Sequence, residues 1–290
     1  MATVAFIGLG VMGGPMAGHL AAAGHDVRVC NRTLAKATQW AAEHRGSVAD
    51  TPAAAATDAD VVFLCVGNDE DVLQVVLGPY GALAALRRGA VIVDHTTASA
   101  TLARELSTTA TAKGVGFIDA PVSGGQAGAV NGTLTIMCGG NADVFESVAP
   151  LMAAYGRSCT LLGPSGSGQL TKMVNQIAIA GVLQGLAEAL DFGLRAGLDM
   201  AQVIAVIGKG AAGSWQLDNR GPTMVRGEFD FGFAVQWMRK DLAICIDEAL
   251  RNGAALTMTK AIDEYYAEIV AMGGGRWDTS SLIRRLGSLG

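Results

Sequence analysis

The chain has 290 residues, half of them hydrophobic and 16% charged, which is enough apolar side chain for two packed domains and long for a single core. A formal net charge of −5 excludes nucleic acid and anionic membrane as main partners, because both demand a basic face, so anionic ligands must be met by local positive groups. Five widely spaced cysteines (Cys30, Cys65, Cys138, Cys159, Cys245) and four unpaired histidines show neither zinc-site nor disulfide spacing, which predicts buried thiols and no bound metal.

The N-terminus opens directly in strand residues without a basic segment before an apolar run, which predicts a cytoplasmic protein. The strand Val4-Ala5-Phe6-Ile7 leads into Gly8-Leu9-Gly10-Val11-Met12-Gly13, a G-x-G-x-x-G turn, and then a helix over 11–23 that stops at Gly24. Each glycine has a physical task. Gly8 allows a sharp exit from the strand, Gly10 has no Cβ to block a pyrophosphate, and Gly13 lets the helix approach the sheet. The helix N-terminus, with its unpaired N–H groups, then faces the phosphates.

A second strand over 25–30 ends at Asn31-Arg32-Thr33, where an Asp or Glu normally accepts the ribose 2′-hydroxyl of NAD. A neutral amide beside a guanidinium and a hydroxyl suits a 2′-phosphate instead, so the expected cofactor is NADP; NAD remains the alternative if Arg32 is only a solvated arginine.

Apolar runs at 61–65, 91–94, 116–119 and 134–137 alternate with alanine-rich helical segments, the pattern of a parallel sheet covered on both faces. Residues 1–163 are therefore expected to form an α/β domain, a Rossmann-type doubly wound parallel sheet. From residue 164 strand patterns cease, and helices at 167–196, 200–207, 235–252 and 257–272 predict an all-α domain over 164–290. The first of these helices is long and apolar, a natural spine and subunit interface for a homodimer or homotetramer. Its uninterrupted apolar stretch, 177–183, is too short to span a bilayer, and no membrane partner is expected. Substrate is expected to meet the nicotinamide in a cleft between the domains.

Two segments carry candidate chemistry. In 119–129 the chain leaves a strand and enters a small-residue loop, where Ser123, Gly124 and Gly125 offer a hydroxyl and successive N–H groups to a small carboxylate; alone, the same residues fit an ordinary tight turn. In 166–176, Lys172 and Asn175 share one helix face among apolar neighbours. A lysine so placed either reaches solvent or serves a site, where desolvation favours the neutral form and makes it a usable acid or base.

With these blocks, 6–16, 119–128, 168–175 and Arg239-Lys240-Asp241-Leu242, in this order over essentially its whole length, the chain resembles the β-hydroxyacid dehydrogenase family. That family includes 3-hydroxyisobutyrate dehydrogenase, tartronate semialdehyde reductase and glyoxylate/succinic semialdehyde reductases. The resemblance implies that Lys172 is the catalytic acid/base, that Ser123-Gly124-Gly125 hold the substrate carboxylate, and that Asn175 orients Lys172 or the substrate. It also implies that Lys240 closes over cofactor and substrate, that Thr97 lies by the nicotinamide ribose, and that Ser214, Trp215 and Phe233 approach the cleft. The triplet Asn31-Arg32-Thr33 looks like the NADP-using branch. Gln176 departs from the common pattern, in which a second Asn is frequent, as do His19 and Ala100. His19 is expected in helix packing and His95 in a satisfied structural role.

The implied reaction is reversible hydride transfer between the nicotinamide and a small β-hydroxy acid or semialdehyde. Its rivals are imine reduction on the same fold, against which the retained lysine counts, and a non-catalytic NADP(H)-binding sensor, for which so complete a residue set would be idle. A purely structural oligomer would need no glycine fingerprint.

Overall fold

The computed structural model describes residues 1–287, and their contacts divide the chain into two units that part inside one helix, after Lys172. The first unit is built on nine strands: β1 (Thr3–Ile7), β2 (Asp26–Cys30), β3 (Ser47–Val48), β4 (Val61–Leu64), β5 (Val91–Asp94), β6 (Gly116–Asp119), β7 (Val122–Ser123), β8 (Leu134–Gly140) and β9 (Gly156–Leu161). They run in the order β3-β2-β1-β4-β5-β6-β8-β7, with β9 on β8. The six strands from β3 to β6 are parallel, in the order usual for a dinucleotide-binding sheet.

Alternation within the strands explains their apolar runs. Val4 and Phe6 enter one buried cluster with Val27, Val29 and Phe63, while Ala5 and Ile7 enter another with Val62, Leu64 and Ile92. A strand buried on both faces has no place for polar residues, so its pattern is continuous.

The doubly wound parallel sheet expected from the sequence carries an antiparallel strand at its far edge. β8 lies antiparallel to β6 and β7 because only short connections follow β6, too little chain for a crossover helix back to the same end. β9 is unpaired on its outer side among the described residues and is half-exposed, so it lacks the apolar run that would announce it. Cys159 on β9 and Cys65 just past β4 are likewise only half-buried, which corrects the expectation of five buried thiols.

The second unit is helical. Its core gathers Ala180, Leu183, Ala187 and Leu190 of the helix Ser167–Arg195 with Leu242, Ile262, Tyr266 and Ile269. This helix of 29 residues is, by length and composition, apolar enough to cross a membrane, contrary to the expectation drawn from 177–183. The difference lies in the glycines, alanines and amides that interrupt the run without charging it; Leu183, Leu186 and Leu190 enter the helical core, while Val174, Val182, Phe192 and Leu194 of the same helix are exposed. Two helices escape the sequence pattern, the five-residue Leu282–Leu286 and Trp215–Arg226; the latter contains Gly221 and Pro222, Ser214 caps it, its Oγ accepting from Leu217 N–H, and Gly227 closes it in the left-handed conformation. Trp215 therefore begins a helix rather than lying between helices.

Candidate active site

The glycine turn is shaped by backbone contact. At Gly8, with φ of +96°, an added Cβ would lie 2.3 Å from the Cys65 carbonyl oxygen; at Gly13 it would lie 1.9 Å from that of Gly8. At Gly10 it would meet nothing within 4 Å. Two glycines are thus demanded by the protein, and the third leaves open space above the backbone. The following helix, Gly13–Ala22, has no side-chain cap and no acidic residue in its first turn. Open space beside uncapped N–H donors fits the pyrophosphate of a dinucleotide.

Asn31 has a different task from the one its position suggested. Its Oδ1 accepts from Leu9 N–H at 2.9 Å and its Nδ2 donates to the Thr33 carbonyl at 3.0 Å, so the carboxamide staples the glycine turn to the end of β2. One Nδ2 N–H of Asn31 remains, beside the side chains of Arg32 and Thr33. Arg32 is 90% exposed, and its 3.6 Å pairing with Asp71 is a weak, solvent-screened restraint.

The carboxyl ends of β5 and β6 hold a second, buried constellation. Asp94 and Asp119 are register partners there. Asp94 Oδ1 accepts from Thr96 N–H at 2.8 Å, yet burial pushes its carboxyl up to about 7. Asp119 is also raised by burial, opposed by backbone donors: Gly166 N–H reaches Oδ1 at 2.7 Å and Gln169 N–H reaches Oδ2 at 3.0 Å. Gln169 in turn accepts from Ala98 N–H at 3.0 Å and donates to the Thr96 carbonyl at 2.7 Å. A Cβ at Gly168 would stand 2.4 Å from the Met137 carbonyl oxygen, so only glycine lets the helix start this close to the sheet. The first turn of the helix Ser167–Arg195 is therefore clamped to the strand ends, and Lys172, 8% exposed, follows within the next turn. Sequence reasoning missed Asp119 and Gln169 as anchors; the signal was an aspartate ending a strand that is otherwise apolar.

Beside this clamp Thr97 is half-buried, and Ser123 ends β7, half-buried and paired with Thr135. Gly124 and Gly125 follow at φ of +129° and +61°, values that exclude most side chains. His95 is fully engaged: Nδ1 lies 2.7 Å from the Ala120 carbonyl oxygen and Nε2 lies 2.8 Å from the Tyr155 hydroxyl, while its ring stacks on Phe63. Burial pushes this imidazole down to about 4, so it is neutral, donating from Nδ1 to the carbonyl and accepting the hydroxyl proton of Tyr155 at Nε2. His19 packs its Nε2 against the Ala129 and Val130 carbonyl oxygens at 3.1 and 3.0 Å.

In the helical unit four polar side chains form one chain. Asn175 Nδ2 donates to Gln176 Oε1 at 2.7 Å, Gln176 Nε2 donates to Asp241 Oδ2 at 2.6 Å, and Lys240 Nζ lies 3.0 Å from Asp241 Oδ1. Asn175 and Lys240, read separately from sequence, are thus linked through two residues the sequence did not join. Elsewhere in this unit the Arg220 guanidinium sits 5.0 Å from the Trp215 ring and 4.9 Å from that of Phe231, with Asp278 at 3.2 Å. Ser214 is taken up by its capping bond, and Trp215 and Phe233 are exposed.

Comparison with known proteins settles the class. Residues 3–163 match the family model described as the NAD binding domain of 6-phosphogluconate dehydrogenase, and residues 166–286 match that described as NAD-binding of NADP-dependent 3-hydroxyisobutyrate dehydrogenase. The chain belongs to the β-hydroxyacid dehydrogenase family. It is 60% identical to an uncharacterized oxidoreductase of Shewanella frigidimarina over 99% of this chain and 98% of that one. It is 36% identical to 2-hydroxy-3-oxopropionate reductase of Escherichia coli over 97% and 96%. Among solved structures, 3-hydroxyisobutyrate dehydrogenase of Mycobacterium tuberculosis with L-serine superposes with a TM-score of 0.88 at 32% identity, covering 99% of both chains. As a β-hydroxyacid dehydrogenase the chain is an NAD(P)-dependent oxidoreductase, and the glycine turn and the clamped lysine-bearing helix are parts of one enzyme.

Proposed function

We propose that this β-hydroxyacid dehydrogenase prefers NADP(H) and interconverts a small β-hydroxy acid with its semialdehyde, using Lys172 as the acid/base. The observation that carries the reading is a lysine, 8% exposed, on a helix whose start is fastened by four hydrogen bonds of Asp119 and Gln169 to the strand ends. An enzyme that must hold a proton-transfer group to within a few tenths of an ångström needs such an anchor.

The glycine turn would hold the dinucleotide by its pyrophosphate, and the bound nicotinamide would supply the hydride-transfer chemistry. Ser123 Oγ and the backbone N–H groups of Gly124 and Gly125 hold the substrate carboxylate. Lys172 Nζ removes the hydroxyl proton as the carbinol is oxidised and returns it as the aldehyde is reduced. Asn175, one helical turn on, orients the reacting oxygen, and Lys240 is assigned a contact with bound cofactor. The NADP preference is supported by Arg32 and by the absence of a carboxylate at the ribose-facing end of β2, where Asn31 is occupied with Leu9 and Thr33. The description of the second family model as NADP-dependent points the same way.

The test is steady-state turnover with NADP(H) and NAD(H). L-serine, 3-hydroxyisobutyrate, glycerate, 3-hydroxypropionate and 4-hydroxybutyrate are offered for oxidation, and glyoxylate, tartronate semialdehyde and succinic semialdehyde for reduction. Lys172→Ala is expected to lower kcat by roughly 10²–10⁴-fold while NADPH still binds. Undiminished turnover in that variant overturns the assignment of Lys172, and higher kcat/KM with NAD(H) overturns the cofactor preference.

A further inference from the structure

The polar chain from Lys240 to Asn175 has a direction. Asp241, 2% exposed, is already paired with the Lys240 ammonium through Oδ1, and its Oδ2 lies 2.6 Å from the Gln176 side chain. A carboxylate only accepts hydrogen bonds, so Gln176 must turn its NH₂ end towards Asp241. Its carbonyl end then faces away, 2.7 Å from Asn175, and can only accept, so Asn175 must turn its own NH₂ end towards Gln176. A carboxamide has nearly the same shape in both orientations, and an isolated asparagine could present either end to a ligand. Here the choice is dictated by a charge two side chains away, and Gln176, 3% exposed, transmits it.

We propose that Gln176 is a positioning residue: by joining Asp241 to Asn175 it fixes which end of the Asn175 carboxamide is offered to the substrate. The inference rests on the reading above that Asn175 faces the reacting oxygen. The Gln176 carboxamide meets Asp241 at 2.6 Å and Asn175 at 2.7 Å at the same time, so it spans the gap between them. The orientation leaves Asn175 Oδ1 and one N–H for the ligand. A substrate oxygen can accept from that N–H while its one hydroxyl proton goes to Lys172 Nζ, whereas an amide that offered only its oxygen would compete with the lysine for that proton.

The experiment is a double-mutant cycle on the holoenzyme with Asn175→Ala, Gln176→Leu and the pair, together with Gln176→Glu, Lys172→Ala and wild type. It reads kcat and KM against pH for the best substrate of the panel, NADPH affinity from nicotinamide fluorescence, and thermal stability. Gln176→Leu is expected to lower kcat/KM on the order of tenfold with NADPH affinity unchanged, and the double variant to be no worse than Asn175→Ala alone, because Gln176 acts through Asn175. Gln176→Glu supplies a readout that a purely structural role would not move. While protonated, the introduced carboxyl donates to Asp241 and accepts from Asn175 as the glutamine amide does; once ionised, it sets two carboxylates against each other. The kcat/KM profile of this variant is therefore expected to gain an ionisation absent from wild type, with activity recovered on the acid side.

Additive losses in the cycle, or wild-type kcat/KM in both Gln176 variants at every pH, overturn the proposal. So do losses that appear only together with lost stability and lost NADPH binding. Turnover retained in Lys172→Ala overturns the reading of the site and this inference with it. Lysine-dependent turnover that is indifferent to Gln176 overturns the inference alone.

Discussion

The glycine turn and the Asn175-to-Lys240 chain are two ways of fixing a functional group. In the first unit the geometry is made by the backbone: close carbonyl approach at Gly8 and Gly13, and N–H groups gathered by Asp119 at the start of the long helix. In the helical unit it is made by side chains reaching one another across as many as 65 residues of sequence. Backbone devices tolerate few residue types and so leave a spelled-out trace, whereas side-chain networks tolerate many and leave none.

The largest expected effect sharpens the contrast within the turn itself. Gly13→Ala forces a Cβ into the Gly8 carbonyl and is expected to cost on the order of 3 kcal/mol by urea unfolding of the apoprotein. Gly10→Ala meets no protein atom; its apo stability is expected to stay within about 1 kcal/mol of wild type while NADPH affinity, read by fluorescence titration, falls by more than tenfold. Equal destabilisation by both would mean that the two glycines serve the same structural end.

An effect of similar size but opposed signs comes from the strand ends. His95, held down to about 4, stays neutral in the fold where the unfolded imidazole takes up a proton, so the stability it confers is lost as pH falls from about 6.5 towards 4. Asp94, held up to about 7, keeps its proton where the unfolded carboxyl has released one, so its share is lost as pH rises from about 4 through 7. Between pH 4 and 6.5 the two slopes oppose. Asp94→Asn, which keeps an oxygen for Thr96 N–H, is expected to unmask the histidine, steepening the acid-side loss relative to wild type by about 3 kcal/mol over that window. Parallel urea-unfolding curves for the two proteins from pH 4 to 7 would show that no such opposition exists.

The smallest effect tests the exposed end of the cofactor site. Arg32→Ala is expected to leave stability within about 0.5 kcal/mol, since its partner Asp71 is a solvent-screened contact. The ratio of kcat/KM for NADPH over NADH is expected to drop on the order of tenfold. An unchanged ratio would leave Thr33 and the uncharged Asn31 as the carriers of the preference.

The same contrast explains how far the sequence could be read. Strands β1, β2, β4, β5 and β6 were legible because burial on both faces leaves an uninterrupted apolar run, and the long helix because its pattern extends from Ser167 to Arg195. β9 was not, since half its residues face solvent, nor was Trp215–Arg226, whose Gly221 and Pro222 read as a break although Ser214 and Gly227 cap both ends. At the site, Lys172 and the glycines stood out by residue type. The stapling role of Asn31 did not, because an amide that binds backbone and one that binds phosphate are written with the same letter. Gln176 could be seen only as a departure from the family pattern until Asp241 lay beside it.

β9, too weakly patterned to be foreseen, closes the sheet on that side with Arg157, Ser158 and Thr160 turned to solvent. A strand with unpaired N–H and carbonyl groups along one side is a template for the next chain that drifts past, and in a crowded solution the hazard grows with every apolar residue on it. The guanidinium and two hydroxyls make that border inhospitable to a neighbour. The polarity that hides β9 from a reader of sequences also protects the folded protein from its own copies.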